Sequence, residues 1–299
     1  MTSAARALAL VGATLAAACG KARTDPIGGA TASRSASAPA SVTASAPAPA
    51  PPPIAPDMPQ LIQAPCRVLR VSGSARVVAG MELSNLTGLD GKAWLELAAK
   101  AEVSVRHGAT SREFSLHGPG RFLPCRQGLE QVLVAEGAFE SSAGSGVRPG
   151  AEMWVSTPFG TVRYADADAR LRVEAGGLRL SAASGRVVVE GSDGKLLTLT
   201  APVPERRLGS ALPATESVTR CEASARTAEQ SAARVLAPGG DDLGKLAATQ
   251  LESRRRARAQ CLVAEASVER LAEGPEKARL RDQVSQANQL WQAVPAMLR

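Results

Sequence analysis

The chain has 299 residues, a formal net charge of +7, 44% hydrophobic residues and only 3% aromatic residues. That length allows about two ordinary domains. The composition supports an aliphatic core with few rings for stacking sugars or bases. The positive bias suits anionic headgroups, lipopolysaccharide or other anionic polymers, and its densest run, "RRRAR" (Arg254 to Arg258), reads as the solvated face of a helix.

From the N-terminus, "MTSAAR" supplies one positive side chain, Arg6, and residues 7–18, "ALALVGATLAAA", form an uncharged apolar run. Such a run has signal-peptide length and falls short of the ~20 residues of a spanning helix. Ala16, Ala17 and Ala18 then precede Cys19. This resembles the lipobox of bacterial lipoproteins, with Ala16 where that motif usually has leucine. The resemblance implies cleavage after residue 18 and acylation of Cys19, which anchors the chain in a membrane. Each buried methylene contributes about 0.8 kcal/mol, so several acyl chains on one residue hold lastingly. Gly20 and Lys21 follow, without the Asp associated with inner-membrane retention, and by that resemblance the expected location is the cell envelope at the outer membrane.

Residues 19–58 then read as anchor and tether. "ASRSASAPASVTASAPAPAPPPIAP" (Ala32 to Pro56) mixes Ser, Ala, Thr and Pro with no apolar period. It cannot bury enough surface to offset its ordering entropy, and a tether of roughly thirty residues at ~3.1 Å each in polyproline II reaches on the order of 100 Å at full stretch.

Over residues 63–208 the period becomes two. In "ADADARLRVE", Ala165, Ala167, Ala169, Leu171 and Val173 share one face, while Asp166, Asp168, Arg170, Arg172 and Glu174 share the other. This predicts a half-buried antiparallel strand whose outer charges pair across strands. "CRVLRVS", "AWLELA", "EVSVRHG", "EFSLHG", "EQVLVAEG", "LRLSA", "GRVVVEG" and "KLLTLT" predict further strands, separated by glycine-bearing turns. Such spacing suits an all-β sandwich or roll.

"LHGPGRF" (Leu116 to Phe122), "VSTPFGTV" (Val155 to Val162) and "ASGRVVVEG" (Ala183 to Gly191) resemble the FecR domain. Its "TP-x-G-x-V" turn falls on Thr157, Pro158, Gly160 and Val162, and its "G-x-V-x-V" strand on Gly185, Val187 and Val189. The chain reads "RYADAD" where that family usually has a second "GT". The resemblance implies an extracytoplasmic β domain of a kind often found in signalling through a sigma factor. Regulators of that kind carry a cytoplasmic segment and a spanning helix. This sequence offers neither, so the expectation here is a binding or assembly module, with Trp154 before the turn, Thr157, Pro158 and Gly160 as candidate contacts.

Residues 213–297 change to a period near 3.5. Val218, Cys221, Ala225, Ala228, Ala232 and Val235 form one stripe; Ala257, Cys261, Ala264, Val268 and Leu271 a second; Leu280, Val284, Ala287, Trp291 and Val294 a third. "APGGDD" and "EGPEK" divide three helices, with Asp241 or Asp242 as a cap and Pro275 in a first turn. The fold class expected is therefore multidomain α+β: an all-β sandwich or roll followed by a helical hairpin or three-helix bundle.

Of five cysteines, four remain beside Cys19: Cys66, Cys125, Cys221 and Cys261. In an exported chain an even count suggests disulfides, with three possible connectivities. Cys221 and Cys261 lie nearly level in an antiparallel helix pair, offset by ~7 Å at ~1.5 Å per residue, which pairs Cys221 with Cys261 and Cys66 with Cys125. His107 and His117 flank turns, and Trp94, Trp154 and Trp291 lie on strand and helix patterns. No nucleophile elbow, phosphate loop or His-Glu-x-x-His occurs, and no metal or cofactor motif stands out. The function expected is a non-enzymatic envelope lipoprotein that binds a partner protein or envelope polysaccharide, and no nucleic acid. The alternatives are a sensory component acting through a membrane partner and an envelope hydrolase built on a carboxylate pair in a cleft.

Overall fold

The computed structural model describes residues 64–293 apart from 79, 143, 145, 146, 148, 149 and 237–242. The signal segment, Cys19, the tether, Val294 and the "APGGDD" break with Asp241 and Asp242 lie outside the described residues. The described residues fall in one compact unit, Pro59–Arg299. It has the α+β architecture expected, a large β structure followed by three helices.

The strands in chain order are β1 (Cys66–Ser72), β2 (Ala75–Val77), β3 (Gly88–Leu89), β4 (Leu95–Leu97), β5 (Glu102–His107), β6 (Glu113–Pro124) and β7 (Gln131–Ser141). They continue with β8 (Met153–Thr157), β9 (Gly160–Tyr164), β10 (Ala169–Glu174), β11 (Gly177–Ala182), β12 (Arg186–Gly191), β13 (Leu196–Thr200) and β14 (Val203–Leu208). All pair antiparallel except β7 with β8.

Two long strands, β6 and β7, belong to both halves of this structure. In the first half, β1, β5, the start of β6, the end of β7, β10, β11 and β14 lie side by side. In the second, β2, β4, the end of β6, the start of β7, β8, β9, β12 and β13 do so. The change of half coincides with register shifts around Arg121 in β6, the bulges that let a strand turn a corner. Gly137 in β7 sits opposite with φ 107°, where a Cβ would lie 2.5 Å from the Phe122 ring, so only glycine fits.

The pleat explains the core. Val103, Leu116, Phe139, Leu171 and Leu180 form one inward row across the first half, and Val132, Val155, Val162 and Val189 one across the second. All belong to a single buried cluster, as in a sandwich or roll. Arg112, fully buried, closes one end: it pairs with Glu130, donates to the Ala151 and Ala165 carbonyls and lies 5.8 Å from the Tyr164 ring centroid. The strand predicted from Ala165 begins only at Ala169. Asp168 lies before it and accepts from the Ser184 hydroxyl at 2.9 Å, so Asp166 and Asp168 are not on a strand face.

The helices are α1 (Ala214–Leu236), α2 (Leu243–Glu269) and α3 (Pro275–Ala293). The stripes read from sequence meet in one cluster of Val218, Cys221, Ala225, Ala228, Ala257, Cys261, Ala264, Val268, Leu280, Val284, Ala287 and Trp291. Both disulfides are present, Cys66 with Cys125 and Cys221 with Cys261, at Cα separations of 6.1 and 4.4 Å. Among the described residues, no helix is long and apolar enough to cross a membrane. A second face of α2 also packs on the outer side of the second half: Ala259 and Leu262 join Leu123, Leu133 and Trp154, with Trp94 against them. The order of layers is therefore first half, core, second half, helices.

Candidate functional site

The four candidate contacts all lie inside this stack. Thr157 and Gly160 close the β8–β9 hairpin around Pro158 and Phe159. The Thr157 hydroxyl accepts from the Phe159 N–H at 3.1 Å and donates to the Gly160 carbonyl at 3.0 Å. Gly160 has φ 143°, and a Cβ there would meet the Glu190 carbonyl oxygen at 2.3 Å. Thr157, Pro158 and Gly160 are buried, so the turn is a structural corner.

Trp154 is not an exposed contact either. It is 4% exposed because α2 covers it, with the Arg258 guanidinium 4.1 Å and that of Arg163 5.0 Å from its ring centroid. Arg258 also donates to Gln131 Oε1 at 2.7 Å. The run "RRRAR" is thus only partly a solvated face: Arg255 and Arg256 are exposed, while Arg258 turns onto the sheet. Burial pulls its guanidinium pKa down to about 10, against the pull of Glu152, so it remains a cation at neutral pH. His107, expected at a turn, sits at the end of β5 but is buried, and its ring meets the Thr110 hydroxyl at 2.9 Å.

Under the same helix, Glu190 is 7% exposed and accepts from Gln260 Nε2 at 3.4 Å. Burial raises its carboxyl pKa above the usual range, only partly countered by Gln260 and by Arg163 and Arg256. The folded state therefore holds this proton more tightly than the unfolded chain, whose carboxyl titrates near ~4.3. Stability is lost as pH rises from that value through the raised folded pKa. Glu190→Gln is expected to stabilise the protein at pH 7 and to change little at or below about pH 4. Urea midpoints at the two pH values check this, and a greater loss at pH 7 than at pH 4 would contradict it.

With the helices on one side, the outer face of the first half is left bare. Ser104, Ser115, Glu140, Arg170 and Ser181 form a row across β5, β6, β7, β10 and β11. They line a groove of about 900 Å³ that Pro202, Val203 and Pro204 border at β14. Arg170 pairs with Glu140 at 3.2 Å, so the outer charges do pair across strands, with β7 as the partner. The neighbouring row sets Arg172, Arg179 and Arg207 side by side on β10, β11 and β14. Arg179 is held by Glu174 and Glu205 at 3.3 and 2.8 Å, Arg207 donates to the Gly176 carbonyl, and Arg172 is exposed with no ion pair among the described residues.

A second concavity, of about 720 Å³, lies where the Arg126–Gly128 turn and Trp94 face α2 and α3. Arg126 meets Glu265 of α2 at 3.1 Å. One turn further along α2, Glu269 receives Arg121, Lys277 and Arg281 at 3.0, 3.3 and 3.2 Å. Lys277 is fully buried and also meets Glu273 at 2.8 Å. Burial raises the Glu265 carboxyl pKa, Arg126 lowers it and Glu269 raises it further. Two carboxylates thus line this cleft, Glu265 in an ion pair to Arg126 and Glu269 in three. Nothing local in the sequence announces this site, because its residues come from the segment before β4, a turn and two distant helices.

No family model matches the sequence, and no curated protein matches it. Among solved structures, the crystal structure of a "putative anti-sigma factor from Parabacteroides distasonis ATCC 8503" is 12% identical over 42% of this chain and 64% of that chain, with a TM-score of 0.31. This chain therefore spans less than two thirds of that structure's length, and a likeness at this level carries no argument.

Proposed function

We propose that the protein is a non-enzymatic cell-envelope lipoprotein, anchored through Cys19, whose FecR-like β structure binds a partner protein or an envelope glycan. The observation that carries the reading is the asymmetry of the two sheet faces. Helices cover one outer face, whereas the other offers a polar groove beside a ladder of three arginines. The chemistry of that face favours a protein with an acidic segment. It presents hydroxyls and guanidinium groups that can take carboxylates, and the aromatic residue lining it, Phe114, is 4% exposed.

The test is a photo-cross-linker placed at Ser115, at the centre of the face, compared with one at Asp282 on the exposed side of α3. In intact envelopes, Ser115 should capture a defined partner that Asp282 does not, and Arg172→Glu should weaken the capture. Mass spectrometry of the same material should find the mature chain beginning at an acylated Cys19. Equal capture at both positions, or an unmodified N-terminus, would count against the reading. A sensory role would use the same face and additionally requires that deleting the protein change transcription of a defined gene set.

A further inference from the structure

Eight aromatic residues occur in the chain, four Phe, one Tyr and three Trp, and seven of them are buried. The exception is Trp94, half-buried at the mouth of the cleft between the sheet and helices α2 and α3. Strand alternation explains its direction. Trp94 directly precedes β4, whose Leu95 and Leu97 point inward at 1% and 2% exposure, and continuing that alternation sets Trp94 outward with Glu96. It packs against the cluster of Leu123, Leu133, Trp154, Ala259 and Leu262 and also lines the cavity.

The opposite wall is built from amides. Asn288 is 6% exposed, and its Oδ1 accepts from Trp291 Nε1 at 2.9 Å. That bond fixes the amide and leaves Nδ2 a donor with no hydrogen bond among the described residues, on a side chain that lines the cavity. Gln289 and Gln292 line the same wall and are exposed. Val268 and Val284 are buried at its base. A cavity of this size that sets Trp94, Val78, Ala93 and the two valines among amides and charged side chains suits a small polar ligand with an apolar face.

We propose that this cleft is a saccharide-binding site and that it takes an acetamido-bearing sugar. The apolar face of a pyranose ring fits the indole of Trp94, and its hydroxyls fit donors and acceptors of the amide type. An acetamido group presents a carbonyl to Asn288 Nδ2 and a methyl to the two valines. The clamped ion pairs around Glu265 and Glu269 hold α3 at a fixed distance from the turn bearing Arg126, so the walls are set before any ligand arrives. The site is separate from the bare sheet face and stands or falls without it.

The test uses the intact disulfide-bonded protein and the tetramer of N-acetylglucosamine as probe. Trp154 and Trp291 are 4% and 7% exposed, so quenching of tryptophan fluorescence by iodide reports mainly Trp94. The probe is expected to protect that fluorescence in a saturable way. Trp94→Ala should weaken probe binding by at least about tenfold when read by calorimetry. Gln289→Ala with Gln292→Ala, two exposed changes that leave the core untouched, should weaken it too while the thermal midpoint stays put. No protection and no heat with the wild-type protein would overturn the inference, as would unchanged affinity in both the Gln289/Gln292 variant and Trp94→Ala. Cleavage of the probe by the wild type would keep the site but overturn the non-enzymatic reading.

Discussion

Replacing Trp154 by alanine is expected to destabilise the protein by about 3–5 kcal/mol, the range for a buried aromatic truncated in a core. The loss has three physical parts. The indole fills the space between the sheet and Leu262 of α2. Its ring takes the Arg258 and Arg163 guanidinium groups, contacts worth up to about 2 kcal/mol when desolvated. Without it, Arg258 remains buried with Gln131 as its only hydrogen-bonding partner among the described residues. The helices should loosen from the sheet before the sheet unfolds, because the β core does not depend on this side chain. Denaturant unfolding combined with limited proteolysis of the helices checks both points. Trp154→Phe keeps a ring in place and should cost roughly half as much. A change below about 1 kcal/mol, with helices still resistant to protease, would refute the account.

Removing either disulfide ranks second. The bridges span sequence separations of 59 residues for Cys66–Cys125 and 40 for Cys221–Cys261. Loop-closure entropy assigns about 4 kcal/mol to each. Because the two loops do not overlap, the double replacements Cys66→Ser with Cys125→Ser and Cys221→Ser with Cys261→Ser should be nearly additive. They should also act on different layers, the first on the β core and the second on the helical cluster. Unfolding with and without reductant measures the sum. A total shift under about 1 kcal/mol would show that the unfolded chain gains little freedom when the bridges open.

Strands with one face bare are the plainest in the sequence, because their burial alternates. β10 reads as "ARLRVE" with alternating burial, and β5 and β11 behave alike. β8, "MWVST", is buried at all five positions between the core and α2, so it shows no period of two. β14, "VPERRL", is mostly exposed, and its charges hide a strand. Among the helices the single stripes were readable. The second apolar face of α2, with Ala259 and Leu262, was not, since a helix buried on two sides has no clear polar side. That missing face is why Trp154 stands as a candidate contact from sequence and the half-buried Trp94 does not. The outward phase of Trp94 in "AWLELA" was the available signal.

Cys66 is the first residue of β1 and is tied to Cys125, which directly follows β6. A mechanical load arriving through the preceding residues therefore divides at its point of entry. Part runs along the hydrogen bonds of β1, which could open one by one from the frayed end. The rest crosses a covalent link to the strand common to both halves of the roll. Peeling from that end is blocked, and tension is spread through the whole body.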